Sequence, residues 1–177
     1  MEKVSIVCGT NRQGSNSHIV AQSIYKLLQA KGVPTGYLNL KDLPDDFVFK
    51  NEVISNPEPV LNQMVEEHVS NASHFIFILP EYNGSFPGVA KAFLDSFPPP
   101  KIHHKRALLV GVSTGRAGNL RGLEQFTGIL NYLKVHVYPL KMAIEYVDKK
   151  IDPNSDMFTD ETTLRLLDSA IDRFLEM

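Results

Sequence analysis

Residues 9–17, Gly-Thr-Asn-Arg-Gln-Gly-Ser-Asn-Ser, hold the densest set of anion-binding groups in the chain. Gly9 and Gly14 permit close backbone approach and positive φ. Thr10, Ser15, Asn16 and Ser17 offer hydroxyl and amide donors, and Arg12 adds a planar, permanently charged fork. The stretch lies between an apolar run, Val4–Cys8, and a helical pattern beginning near Asn16. A helix start adds unpaired N–H groups and the positive end of its dipole. That chemistry suits an anion such as a phosphate. An ordinary turn in which Ser and Asn cap the helix uses the same residues.

Two further loops have unusual chemistry. Residues 80–88, Pro-Glu-Tyr-Asn-Gly-Ser-Phe-Pro-Gly, join an aromatic ring, an amide, prolines that limit freedom and glycines that admit a flat ligand. Tyr82 could lie against a ring, with Asn83 and the backbone of Gly84 meeting its heteroatoms. Residues 113–119, Ser-Thr-Gly-Arg-Ala-Gly-Asn, form another hydroxyl-bearing, glycine-rich turn with one arginine. Taken singly, each is also consistent with a plain strand-to-helix turn. Together they fit a phosphorylated planar ring.

The elements that must carry these loops alternate in type. Val4–Cys8, Thr35–Leu40, Phe75–Leu79, Ala107–Val112 and Val135–Tyr138 are expected strands, and Phe75–Leu79 has the unbroken apolar character of a central parallel strand. Helical spacing is expected over about 16–31, 60–71, 88–97, 120–133 and from residue 159 onward. Residues 41–59, broken by Pro44, Pro57 and Pro59, and residues 139–158 are expected to be mostly irregular. Alternating strands and helices imply an α/β three-layer sandwich, a five-stranded parallel sheet in order 2-1-3-4-5 with helices on both faces. Such sheets bind ligands beyond the carboxyl ends of their strands, where the three loops fall.

The 177 residues suit one domain, 1–177, and 43% hydrophobic with 21% charged residues is ordinary for a globular protein. A net charge of −2 gives no electrostatic case for nucleic acid or a membrane surface. The apolar runs are too short to span a bilayer, and the first residues do not read as an export signal. The single cysteine, Cys8, reads as a buried thiol, and the expected compartment is cytoplasmic. His103-His104, between a proline run and Lys105-Arg106, reads as solvated loop, and no metal site is expected.

On these motifs, the chain resembles the NADPH-dependent FMN reductase family of flavodoxin-like proteins, whose members include quinone, azo-dye and chromate reductases. The carrying blocks are residues 9–17, 80–91 and 113–118, the middle one being the most specific. The resemblance implies that Thr10, Arg12, Ser15, Asn16 and Ser17 bind the FMN phosphate. It implies that Pro80, Glu81, Tyr82, Asn83 and Gly84 line the isoalloxazine ring, and that Ser113, Gly115 and Arg116 close the other side. Arg116 is also a candidate contact for NADPH or NADH. The implied activity is hydride transfer from nicotinamide to FMN and on to a quinone, free flavin, azo compound or metal oxyanion, with no general acid or base required. An FMN-binding electron carrier and a flavin-free binding module are the rival readings, and the near-neutral charge speaks against the carrier. A homodimer or homotetramer is also implied, with Phe47, Phe49, Phe86, Phe93 and Phe97 as apolar material that could equally be core. Two departures bear on nucleotide and acceptor preference: the acidic stretch Asp42–Phe47, and Ala117 with Asn119 in the third loop, where relatives often have glycine at the latter position.

Overall fold

The computed structural model describes residues 3–47, 59–152, 154 and 157–177. Strand β1 (Val4–Cys8) pairs in parallel with β2 (Thr35–Asn39) on one side and β3 (His74–Pro80) on the other. Strand β4 (Arg106–Val112) continues the sheet, and β5 (His136–Val137) pairs at its start. The order β2-β1-β3-β4-β5 is the expected one. The far edge carries a sixth piece: β6 (Met142–Ile144) pairs in parallel with the carboxyl half of β4, while β5 pairs with its amino half. Pro139, which has no N–H for a ladder, lies between the two. The stretch expected to be irregular therefore supplies the end of the edge, and also a two-stranded antiparallel ribbon, β7 (Ile151–Asp152) with β8 (Met157–Phe158).

Side-chain alternation divides the core into two layers. Val7, Phe75, Phe77, Leu79 and Leu109 face one way, toward α2 (Pro59–Val65), α3 (Gly88–Asp95) and α4 (Leu120–Tyr132). Val4, Ile6, Ile76, Ile78, Leu108 and Val110 face the other, toward α1 (Asn16–Ala30) and α5 (Glu161–Leu175). Most of these side chains are fully buried, as expected of strands covered on both faces. Pro98 and Pro99 follow α3 closely and prevent its extension.

Several boundaries differ from the sequence expectation. The second helix relaxes after Val65 into a π-helical turn, Glu66–Ser70, whose end carbonyls at Val69 and Ser70 accept from Lys105 Nζ. Leu40–Asp42 form a 3₁₀ turn rather than continuing β2. Phe47, Phe93 and Phe97 are core, at most 6% exposed, and Phe86 packs against the same cluster. Phe49 and Pro57 lie outside the described residues.

Candidate functional site

The loops after β1, β3 and β4 meet at the carboxyl end of the sheet and enclose a cavity of about 200 Å3. Arg12, Ser15, Asn16 and Ser17 line it from the first loop, Pro80, Glu81 and Tyr82 from the second, and Ser113 and Thr114 from the third. Arg12 is exposed at the rim, whereas Ser17 is buried. Thr10 is fully buried beneath the first loop, where its Oγ1 lies 2.8 Å from Tyr82 Oη and accepts the Arg12 N–H at 3.2 Å.

The first loop delivers an open helix start. Ser15, in extended conformation, is the N-cap of α1, but its hydroxyl makes no capping bond. The first turn carries no acidic side chain that would compete with an anion. Unpaired N–H groups, the helix dipole and Arg12 therefore converge on one spot. This donor set fits a phosphate.

The second loop is a tight hairpin turn. Tyr82 and Ser85 exchange two backbone bonds of 2.8 and 3.0 Å, and both central residues, Asn83 (φ 51°) and Gly84 (φ 76°), are left-handed. This is the geometry that favours Asn-Gly in two-residue turns. It carries Asn83 out into solvent, and Asn83 and Gly84 stand beside the cavity lining rather than in it. The flat wall consists of Pro80, Glu81 and Tyr82. The Glu81 N–H donates to Val112 O at 2.8 Å, and the Glu81 carboxylate lies 3.5 Å from the Arg121 guanidinium.

The third loop is closed on itself. Ser113 Oγ donates to Gly115 O (2.8 Å) and accepts from the Gly118 N–H (3.0 Å), so its proton is already engaged. Gly115 and Arg116 are exposed and stand outside the cavity lining. In their place Val147 forms part of the wall, drawn in by its N–H bond to Ser113 O while the neighbouring Tyr146 N–H bonds Gly115 O. Sequence reasoning missed Val147 because its segment carries no regular periodicity.

Behind the first loop, Cys8 is fully buried, and burial raises its thiol pKa to about 11. Tyr37 Oη lies 2.7 Å from His18 Nδ1, and Asn39 Nδ2 donates to the same nitrogen at 3.2 Å. Burial, assisted by Lys41, lowers the His18 pKa. Among the described residues no group of three or more His, Cys, Asp or Glu side chains could hold a metal ion. The cavity lining contains no histidine or cysteine beside its serines, so it offers an anion site and a flat wall rather than a nucleophile with its base.

The profile of the NADPH-dependent FMN reductase family matches residues 2–149. An NAD(P)H-dependent FMN reductase of Pseudomonas aeruginosa is 30% identical over 138 residues, covering 76% of this chain and 72% of its own length. A quinone reductase of Escherichia coli K12 is 27% identical over 184 residues, covering 99% and 95%. Among solved structures, a flavoenzyme NAD(P)H:(acceptor) oxidoreductase from Paracoccus denitrificans superposes with a TM-score of 0.79 at 21% identity, over 99% of this chain and 96% of that one.

Proposed function

The chain belongs to the NADPH-dependent FMN reductase family, and from that premise we propose how its residues serve the reaction. It is an FMN-dependent NAD(P)H oxidoreductase of flavodoxin-like fold. The observation that carries the assignment of roles is a cavity lined by all three loops. Arg12, Ser15, Asn16 and Ser17 hold the FMN phosphate at the α1 start. Thr10 acts from below by fixing Tyr82. Pro80, Glu81 and Tyr82 bear on the isoalloxazine ring, with Ser113, Thr114 and Val147 opposite. Asn83, Gly84, Gly115 and Arg116 flank the mouth, where the exposed Arg116 would meet a nicotinamide nucleotide's phosphate.

Bound FMN supplies the hydride-accepting chemistry. The protein's contribution is position: an anion anchor at one end, a stiff wall along the ring and an open mouth that admits nucleotide and acceptor in turn. Relatives named for quinone reduction support a quinone as acceptor. The test is turnover of the purified, FMN-loaded protein with NADH and with NADPH against quinones, free flavin, an azo dye and ferricyanide. Quinone-dependent oxidation of either nucleotide is expected. FMN binding without nucleotide oxidation against every acceptor would sink the reading.

The 177 residues act as one domain, a reading supported by the single main sheet and the cores on its two faces. No helix among the described residues is long and apolar enough to cross a membrane. A reducing cytoplasm suits the lone buried thiol of Cys8. For assembly, an apolar groove of about 610 Å3 between α3 and α4 supports a homodimer. Leu94, Phe97, Ile129 and Leu133 line it, and Tyr132, 85% exposed, stands at its edge. Sedimentation of the wild type as a dimer, and of Tyr132→Asp as a monomer, is the expected outcome; a monomeric wild type removes this part of the reading.

A further inference from the structure

One side chain, that of Asn119, joins the second and third loops. Asn119 caps the start of α4 in a left-handed conformation (φ 62°, ψ 28°) yet makes no capping bond with its side chain. It is completely buried. Instead of capping, its Nδ2 donates to two successive carbonyls at the end of β3, Leu79 O at 2.9 Å and Pro80 O at 3.0 Å. Both amide hydrogens are thereby used. The opposite amide orientation would set Oδ1 against two carbonyl oxygens, so the donor assignment follows from the chemistry.

The location of this contact gives it consequence. The ladder between β1 and β3 ends at Cys8–Ile78, one residue before Leu79. Pro80, immediately downstream, begins the flat wall of the cavity. The same face of α4 holds the rest of the hairpin. A Cβ on Gly122 would strike both Asn119 Oδ1 and the Ser85 backbone, so helix and turn are in close contact there. Farther along α4, Gln125 Oε1 accepts a hydrogen bond from Ser85 Oγ. The helix thus grips the hairpin at both ends, and Asn119 is the grip nearest the cavity. Asn119 Oδ1 is buried without a partner, an unfavourable arrangement that the two donated bonds must offset.

We propose that Asn119 is a positioning residue for the flavin site, setting the spacing between the Pro80–Tyr82 wall and the Ser113–Thr114 wall by tying the β3 carbonyls to the third loop. The proposal rests on the flavin reading above. Because it concerns the walls and not the anion anchor, it bears equally on flavins with and without a phosphate.

The experiment compares Asn119→Gly and Asn119→Asp with the wild type. Glycine adopts the left-handed backbone freely, so the first variant keeps the loop while losing the donor. Aspartate keeps the size but presents acceptors to the two carbonyls. Dissociation constants for FMN and for riboflavin, the visible spectrum of the bound flavin and the melting temperature of the flavin-free protein are measured. Both variants should weaken both flavins by a similar factor of about ten, with altered vibronic structure in the flavin band, while the flavin-free Gly variant still melts cooperatively, a few degrees below wild type. Unchanged affinities and spectra in both variants would overturn the proposal. So would a loss confined to FMN, or a loss in the Gly variant that the Asp variant does not share. A wild-type protein that takes up neither flavin overturns the underlying flavin reading instead.

Discussion

Tyr82 and Thr10, 72 positions apart, meet through a hydroxyl–hydroxyl hydrogen bond of 2.8 Å that ties the loop after β3 to the loop after β1. Thr10 is fully buried, so this bond disposes of a polar group that cannot reach water. It also orients the tyrosine that forms part of the proposed ring wall.

Removing the hydroxyl should therefore act on both stability and binding. Tyr82→Phe leaves Thr10 Oγ1 with the donated Arg12 N–H but without its hydroxyl partner. A loss of about 1 kcal/mol in urea unfolding is expected, with a several-fold weaker FMN complex. Tyr82→Phe combined with Thr10→Val should cost less than the sum of the single changes, since neither hydroxyl is then stranded. Strict additivity would show that the two groups do not interact in solution.

Two glycine substitutions should move stability in opposite directions. A Cβ on Gly111, within β4, would land on the carbonyl oxygen of Gly118, a backbone atom that cannot swing aside. Gly111→Ala should destabilise the chain by about 1–3 kcal/mol and displace the third loop. Gly128, exposed within α4, has nothing within 4 Å of its Cβ position, and Gly128→Ala should stabilise by about 0.5–1 kcal/mol. Chemical denaturation of the flavin-free protein measures both. Equal effects would remove the steric argument.

The contrast between legible and hidden features has physical causes. Phe75–Leu79 was readable as a central strand because burial on both faces demands an unbroken apolar run, and the flanking loops could then be placed at one end of the sheet. Composition could not separate interface phenylalanines from core ones, since both need the same apolar surface; Phe93 and Phe97 proved to be core. The outward course of Asn83 is encoded in the Asn-Gly pair, a strong signal for a left-handed two-residue turn. Val147 had no signal of its own. Its place depends on the interrupted edge strand and on a backbone bond to Ser113, a long-range pairing that local pattern does not contain.

At the start of α5, Asp160 links charge to folding. Its carboxylate accepts the Thr163 N–H at 2.8 Å as the helix cap, and hydrogen bonding from the Thr163 hydroxyl together with that N–H holds its pKa below the ordinary carboxylate range. A depressed folded-state pKa gives stability that is present above the unfolded value of about 3.9 and is lost as pH falls through the folded one. Asp160→Ala should accordingly cost about 1 kcal/mol at neutral pH. The difference between variant and wild type should shrink below about pH 4, as followed by denaturation at several pH values. A difference independent of pH would mean that the cap does not depend on the ionised carboxylate.

The anion anchor is tested most directly by Arg12→Ala. Arg12 lines the cavity beside the uncapped α1 start but belongs to neither core layer, so its removal should leave folding nearly intact. A charge-assisted bond to phosphate contributes about 1.5–3 kcal/mol, which corresponds to at least a tenfold weaker FMN complex. Riboflavin, which lacks the phosphate, should bind the variant and wild type alike. The salt dependence of FMN binding should also flatten, since one exposed cation no longer meets the anion. Titration of both flavins at low and high ionic strength measures these effects. Equal losses for FMN and riboflavin would move Arg12 from the phosphate to the ring. The comparison also separates the two ends of the site: a defect at Asn119 should weaken both flavins, whereas a defect at Arg12 should weaken only the phosphorylated one.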